Sequence, residues 1–361
     1  MENGLKQILS NKEFYRIGGR YTLHEDILYL GYSASHLEFS FCGKKLSAEM
    51  ISDGFPEDEA LRARVAVFVN DEEEPRNRIK LEKGTALYDL CELETEEPVT
   101  IRIMKYSEAA FASVGIVDVI LHGGTIGALT TKNRLKMEFI GDSITCGYGI
   151  EADNEMIPFN TATENPWEAY ACRTARLLDA DYQLISWSGD GIITHYVDES
   201  VNEVRTEKPL MPELYRYTDE ELAERLLIQP EIWTNKEPMD IVVINLGTND
   251  ASYTRTIPER EAQFKPEYKK FLHQVREANR EAAIVVVFGI MDGRLNDVIR
   301  DTVIECQAED HRLFYYESPQ QDFADGLGSD FHPSKVTHKK VADGLSRFIR
   351  EKLIDDKGAI S

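Results

Sequence analysis

Two textures of apolar and polar positions divide the chain. Up to about residue 125, short runs alternate: "ILYLGYSASHLEFSF", "ARVAVFV", "RIKLEKG", "PVTIRIMKYS" and "GIVDVILHG", broken by the turn-like "DEEEPRN" and "ETEEP". A period of two puts successive side chains on opposite faces of a strand, and breaks every roughly 8 to 12 residues predict an antiparallel sandwich. Residues 1–125 are therefore expected to form an all-β, jelly-roll-like sandwich. The acidic runs Asp71 to Glu74 and Glu92 to Glu97 read as solvated turns.

After the Gly-rich "HGGTIGALTTKN" the runs become apolar throughout: "KMEFIG", "YQLISWS", "DIVVINLG", "AIVVVFGI" and "RLFYYES". Helical segments lie between them. "NPWEAYACRTARLLDA" offers Asn165 as a cap and Pro166 at the first helical position, and "TDEELAERLL" offers a Thr218 to Glu221 capping box. "EYKKFLHQVREANRE" and "SKVTHKKVADGLSRFIREKL" follow the third and last strands. Strands apolar on both faces and joined by helices predict a parallel sheet covered on both sides. Residues 126–361 are thus expected to form a three-layer α/β/α domain on a parallel sheet.

Composition narrows the partners. The 361 residues carry a net charge of -23, a field that repels polyphosphates and anionic lipid, so nucleic acid and membrane surfaces are poor partners. Cys42, Cys91, Cys146, Cys172 and Cys306 are scattered without a C-x-x-C pair and read as reduced thiols. No stretch has the length of a membrane span, and the first residues lack the apolar core of a signal peptide. A cytoplasmic location is the default expectation, with secretion where a leader has been removed.

Ligands of open parallel sheets bind at the C-terminal ends of the strands. Here those ends read "GDSITCGYG", "SGDG" and "LGTND", and the last helix is entered through "GSDFHPS". A hydroxyl, glycines, an amide and an imidazole gathered on one rim are the parts of an acyl-transfer site. The set resembles the SGNH, or GDSL-like, hydrolases, with Ser143 in "GDSIT", Gly189 in "WSGDG", Asn249 in "GTND" and His332 in "DFHPS". Preceded by a sandwich of this size, the domain looks like carbohydrate esterase family two, whose members remove acetyl groups from xylan and other sugars.

That resemblance implies an SGNH-type domain with a flavodoxin-like parallel sheet and a cofactor-free serine esterase acting on acetylated oligo- or polysaccharides. Ser143 would be the nucleophile and His332 its base, with the N–H groups of Ser143 and Gly189 and the Asn249 amide as oxyanion donors. Gly191 competes with Gly189 for its place. Related hydrolases cleave thioesters or lysolipids, which gives an alternative substrate class. A metal-dependent phosphoesterase built on "GDS", "GTND" and "DFH" is a more distant alternative, because only His332 is well placed as a ligand. The sandwich is assigned either to shaping a cleft or to homo-oligomer formation.

The remaining polar residues near these blocks have structural readings. Asp142, Asp190 and Asp250 are expected to form Asx turns, His195 and His122 to be satisfied structural histidines, and His338 to lie on the surface. Trp187 and Tyr148 offer flat faces to a sugar ring or to the core. The acid that orients His332 is less regular. Most relatives carry it three residues before the histidine, where this chain has Ser329. Asp330 reaches Nδ1 if the segment is extended; if it turns tightly, a backbone carbonyl takes the proton and the machinery is a dyad.

Overall fold

The computed structural model describes residues 3–52, 58–130, 134–235 and 237–355. They fall into two units. One comprises the residues up to 130 with 160–162 and 218–231, and the other comprises 134–159, 163–217 and those from 232 onward.

The first unit is a sandwich of two antiparallel sheets. One has the order Tyr15–Gly18, His36–Cys42, Val99–Lys105, Arg64–Val69, Asn77–Lys80, with Thr125–Gly127 also paired to His36–Cys42. The other has the order Tyr21–His24, Ile27–Leu30, Val114–Ile120, Lys45–Ser52, Gly84–Glu92. Alternate residues supply the core: Leu37, Phe39 and Phe41 from one sheet meet Leu46, Ala48 and Met50 from the other. Because Thr125–Gly127 is paired within it, the sandwich continues past the expected limit at residue 125. Thr161 belongs to it as well, with its N–H on Ala60 O at 2.8 Å and its hydroxyl on Arg62 O at 2.7 Å.

The second unit is built on five parallel strands, β1 (Lys136–Gly141), β2 (Asp181–Ser186), β3 (Ile241–Asn245), β4 (Ala283–Phe288) and β5 (Leu313–Glu317). Their order is β2-β1-β3-β4-β5, that of a flavodoxin-like sheet. Every residue of β3 and β4 is buried, which is why these strands read as continuous apolar runs. Its helices include α1 (Ser143–Cys146), α2 (Tyr170–Leu177), α3 (Thr248–Thr254), α4 (Pro258–Ala278), α5 (Asn296–Gln307) and α6 (Lys335–Ile349).

Two helix starts differ from expectation. Asn165 caps only a turn, its Oδ1 accepting from Glu168 N at 3.1 Å, and α2 begins at Tyr170. The capping box at Thr218 does not form, because the Asp219 carboxylate takes Leu222 N at 2.9 Å and makes Asp219 the cap of helix Glu220–Arg225. A carboxylate one residue later competes successfully for the same orphan N–H groups.

Gly141 closes β1 and brings the chain to the site. A Cβ there would overlap Thr145 Oγ1 and lie 3.1 Å from Asn245 O, while Thr145 is held by Tyr170 OH at 2.9 Å. Gly141→Ala is therefore expected to destabilise the protein by about 1–3 kcal/mol, the usual result of overpacking. Thermal denaturation checks this, and an unchanged Tm would mean that the α1 turn yields freely.

Candidate active site

At the C-terminal end of β1, Asp142 caps α1 by accepting Ile144 N on Oδ1 at 3.0 Å. The one-turn helix ends at Gly147 with φ 78°, a left-handed value that glycine adopts without strain. This strand-to-turn passage places Ser143 on the rim of the sheet, 6% exposed. His332 arrives from a different direction. Leu327 and Pro333 form an antiparallel bridge, Gly328 N donates to His332 O at 2.8 Å, and His332 N donates to Ser329 O at 3.0 Å. The intervening Asp330 and Phe331 are both left-handed, with φ 52° and 64°. The result is a tight hairpin that sets His332 Nε2 2.8 Å from Ser143 Oγ.

The hairpin also decides what holds the ring. His332 Nδ1 lies 3.0 Å from Ser329 O. A carbonyl oxygen only accepts, so Nδ1 carries the proton and Nε2 presents its lone pair to Ser143. Asp330 does not orient the imidazole. Because residue 330 is left-handed instead of extended, its carboxylate is directed to Tyr148 OH, which donates to Oδ2 at 2.8 Å. The position that carries the acid in most relatives contributes its backbone oxygen instead.

An aromatic stack supports the histidine. The Tyr148 ring lies 4.3 Å from the His332 ring at 33°, and Phe159 stacks on Tyr148 at 3.9 Å and 13°. Tyr148 therefore packs on the imidazole from within the protein, and sequence gives no hint of Phe159. Burial pushes the His332 pKa down to about 4, against smaller opposing effects from the Ser329 carbonyl and the Asp330 charge.

The loop after β2 carries Gly189 and Gly191. Gly189 has φ 83° and open space where a Cβ would project, so its backbone faces free volume. A Cβ at Gly191 would meet Asp250 Oδ2 and Thr194 O, each at 2.6 Å, which marks Gly191 as a packing glycine. Asn249, in the first turn of α3, donates from Nδ2 to Asp190 O at 2.8 Å. An amide NH₂ has two hydrogens, so this bond fixes its plane and leaves one donor.

Of the three aspartates, only Asp142 makes the expected local turn bond. Asp250 reaches across to the β2 loop, accepting Ile192 N at 3.0 Å and Ile193 N at 2.8 Å. Asp190 bonds His195 Nδ1 at 2.7 Å. Burial is the largest cause that lifts all three acids, Asp142 to about 7 and Asp190 and Asp250 to about 6.

The other histidines fall into place individually. His122 bonds Ser47 Oγ at 2.8 Å. His338 is buried, contrary to expectation, because its Nδ1 accepts the Tyr170 N–H at the start of α2 at 3.0 Å, and burial holds it neutral down to about 3. With Ser143 on one nitrogen and Ser329 on the other, His332 has neither ring nitrogen directed to a ligand set.

Residues 139–340, more than half of the chain, match the GDSL-like Lipase/Acylhydrolase family. The chain belongs to this family. Residues 17–128 match the family described as Carbohydrate esterase 2 N-terminal. The chain is 33% identical over 258 residues to the cellulase/esterase CelE of Acetivibrio thermocellus, a match covering 70% of this chain and 30% of that relative. It is 25% identical over 350 residues to an acetylxylan esterase / glucomannan deacetylase of Cellvibrio japonicus, covering 95% of this chain and 90% of the relative. The structure of a family two carbohydrate esterase from Clostridium thermocellum in complex with cellohexaose is similar at TM-score 0.83 and 28% identity, covering 94% of this chain and 98% of that one. This GDSL-like chain therefore shares its two-part architecture, sandwich then parallel α/β, with family two carbohydrate esterases.

The orientation of His332 has a direct readout. An NMR titration of its imidazole is expected to show the Nδ1–H tautomer and a midpoint near 4. Removing the Asp330 charge with Asp330→Asn should lower that midpoint slightly, since the charge favours the imidazolium, and leave the tautomer unchanged. A switch of tautomer would show that Asp330, and not Ser329 O, holds the ring.

Proposed function

We propose that the protein is a carbohydrate O-acetyl esterase, a serine hydrolase that removes acetyl groups from acetylated xylan or related sugars. The observation that carries this reading is the 2.8 Å contact of Ser143 Oγ with a histidine nitrogen whose lone pair is fixed toward it. The names of the similar proteins, acetylxylan esterase and family two carbohydrate esterase, support the substrate class.

Each step uses a group already described. Ser143 Oγ attacks the acetyl carbonyl carbon while His332 Nε2 takes its proton, and positioned bases of this kind contribute about 10²- to 10⁴-fold. The carbonyl oxygen becomes an oxyanion facing the N–H groups of Ser143 and Gly189 and the second Asn249 hydrogen. Collapse breaks the bond to the sugar oxygen, which receives the proton from Nε2. Water, deprotonated by the same nitrogen, attacks the acetyl-enzyme, and acetate leaves with Ser143 restored.

Ser143→Ala is expected to abolish turnover of 4-nitrophenyl acetate and of acetylated xylo-oligosaccharides, and near-wild-type turnover would sink the reading. A series of esters from C2 to C12 should show strict acetate preference; a preference for long chains would move the protein to the thioesterase and lysolipase branch of its family. Because the base works as neutral imidazole, activity is lost as pH falls through the His332 pKa. The acidic limb of kcat/KM is expected near pH 4 and not near the 6.5 of a free imidazole. Asp330→Asn should retain activity to within about tenfold, far from the about 10⁴ lost when the orienting acid of a serine protease is removed.

A further inference from the structure

A histidine–acid pair lies within the loop that carries Gly189, and the esterase mechanism above makes no use of it. His195 Nδ1 is 2.7 Å from Asp190 Oδ1, and its Nε2 is 3.2 Å from Lys208 O. Lys208 O only accepts, and so does the Asp190 carboxylate once it is ionised above about 6, so both ring nitrogens then carry hydrogen and the ring that satisfies the two bonds is the imidazolium. The pair is well enclosed, with side-chain exposures of 12% for His195 and 3% for Asp190.

The location gives the pair its consequence. Asp190 stands between Gly189 and Gly191, and its backbone oxygen accepts the bond that fixes the Asn249 amide. The same loop is tied to itself by Tyr196 N on Gly189 O at 2.8 Å, with Tyr196 adjacent to His195. Clamping the Asp190 side chain therefore fixes the backbone that carries one oxyanion donor and orients another. Lys208 O anchors the far side of the ring, so the loop is held against a second segment through one imidazole.

Resting on the esterase reading, we propose that His195 is a positioning residue: as an imidazolium bridging Asp190 and Lys208 O, it holds Gly189 and Asn249 in register to receive the oxyanion. The charges that face it favour that state. Asp190 and Glu207 attract the cation, and its bond to Asp190 is the main cause that raises its pKa. Lys208 contributes mainly through its carbonyl, and Arg205 is engaged in an ion pair with Glu207. With Asp190 lifted to about 6 and the histidine pKa raised, the clamp is complete between the two values and is lost as pH rises through that of His195.

The test compares wild type, Ser143→Ala, His195→Gln, His195→Phe and Asp190→Asn with 4-nitrophenyl acetate across pH, with Tm measured for each. His195→Phe is expected to lower kcat by roughly 10- to 100-fold, part of what deleting an oxyanion donor costs, with KM changed less than about twofold. His195→Gln, which keeps a donor toward Asp190, should recover part of that kcat, and in both variants the alkaline limb of the wild-type kcat profile should flatten. Separately, NMR should report His195 as imidazolium at a pH where His332 is neutral. Wild-type kcat and an unchanged alkaline limb in a folded His195→Phe would overturn the inference while leaving the esterase reading intact. Turnover surviving in Ser143→Ala would instead remove the reading on which it rests.

Discussion

The contact of Ser143 Oγ with His332 Nε2 joins residues 189 positions apart in the chain, and most features of the α/β unit exist to make that distance 2.8 Å. The sheet order β2-β1-β3-β4-β5 reverses direction between β1 and β3. Open α/β sheets leave a crevice at such a reversal, because the connections on its two sides depart to opposite faces. Ser143 follows β1 and Asn249 follows β3, so the hydroxyl and the amide flank the crevice, and the β2 loop brings Gly189 from the next strand. Only His332 must come from outside the sheet ends, and the hairpin before α6 supplies it.

That hairpin carries a physical cost. Two consecutive non-glycine residues in the left-handed region cost of order 1–3 kcal/mol each, and one of them, Phe331, is bulky. The turn they make lets Ser329 O accept both the backbone N–H and the side-chain Nδ1–H of His332. A carbonyl fixes the tautomer as well as a carboxylate does. It does not raise the basicity of the ring as a full charge would, so burial dominates and the imidazole stays neutral to about 4. The arrangement gives up some driving force for proton removal and keeps the base in its working form over a wide range of pH.

How far sequence reveals such a structure depends on how local each determinant is. Strands β3 and β4 were legible because burial of every residue favours a near-continuous apolar run, a signal contained in each strand, and β1, β2 and β5 keep enough of it despite Glu138, Gln183 and the half-buried tyrosines of β5. Strand Gly84–Glu92 was not legible, since it lies at the edge of its sheet and its exposed side keeps polar and apolar residues alike. The short Tyr15–Gly18 and Tyr21–His24 are only partly buried and leave little pattern. At the candidate site, short motifs pointed to Ser143 and His332, which the fold brings into contact, and to Gly189 and Asn249 on the loops after β2 and β3. Their partners were not. Whether Asp330 reaches its histidine turns on two backbone angles, and Asp250 and His338 act on N–H groups 58 and 168 residues distant. Sequence spacing holds no record of contacts across such distances.

The three buried aspartates near Ser143 raise a last electrostatic question, since the proposed mechanism develops an oxyanion close to them. Each organises donors: Asp142 caps the serine turn, Asp250 gathers the N–H groups of the β2 loop, and Asp190 engages His195. If all three were fully ionised, their field would oppose the new negative charge in a site where water screens little. Burial lifts the pKa of Asp142 to about 7, with the charges of Asp250 and Asp190 contributing, and that of Asp250 to about 6, while the Asp190 carboxylate is met by the His195 ring. A proton held on Asp142 near neutral pH removes the charge beside Ser143 while its Oδ1 continues to accept Ile144 N. The acids thus order the backbone donors that the oxyanion needs, and their own desolvation limits the repulsion they would otherwise bring.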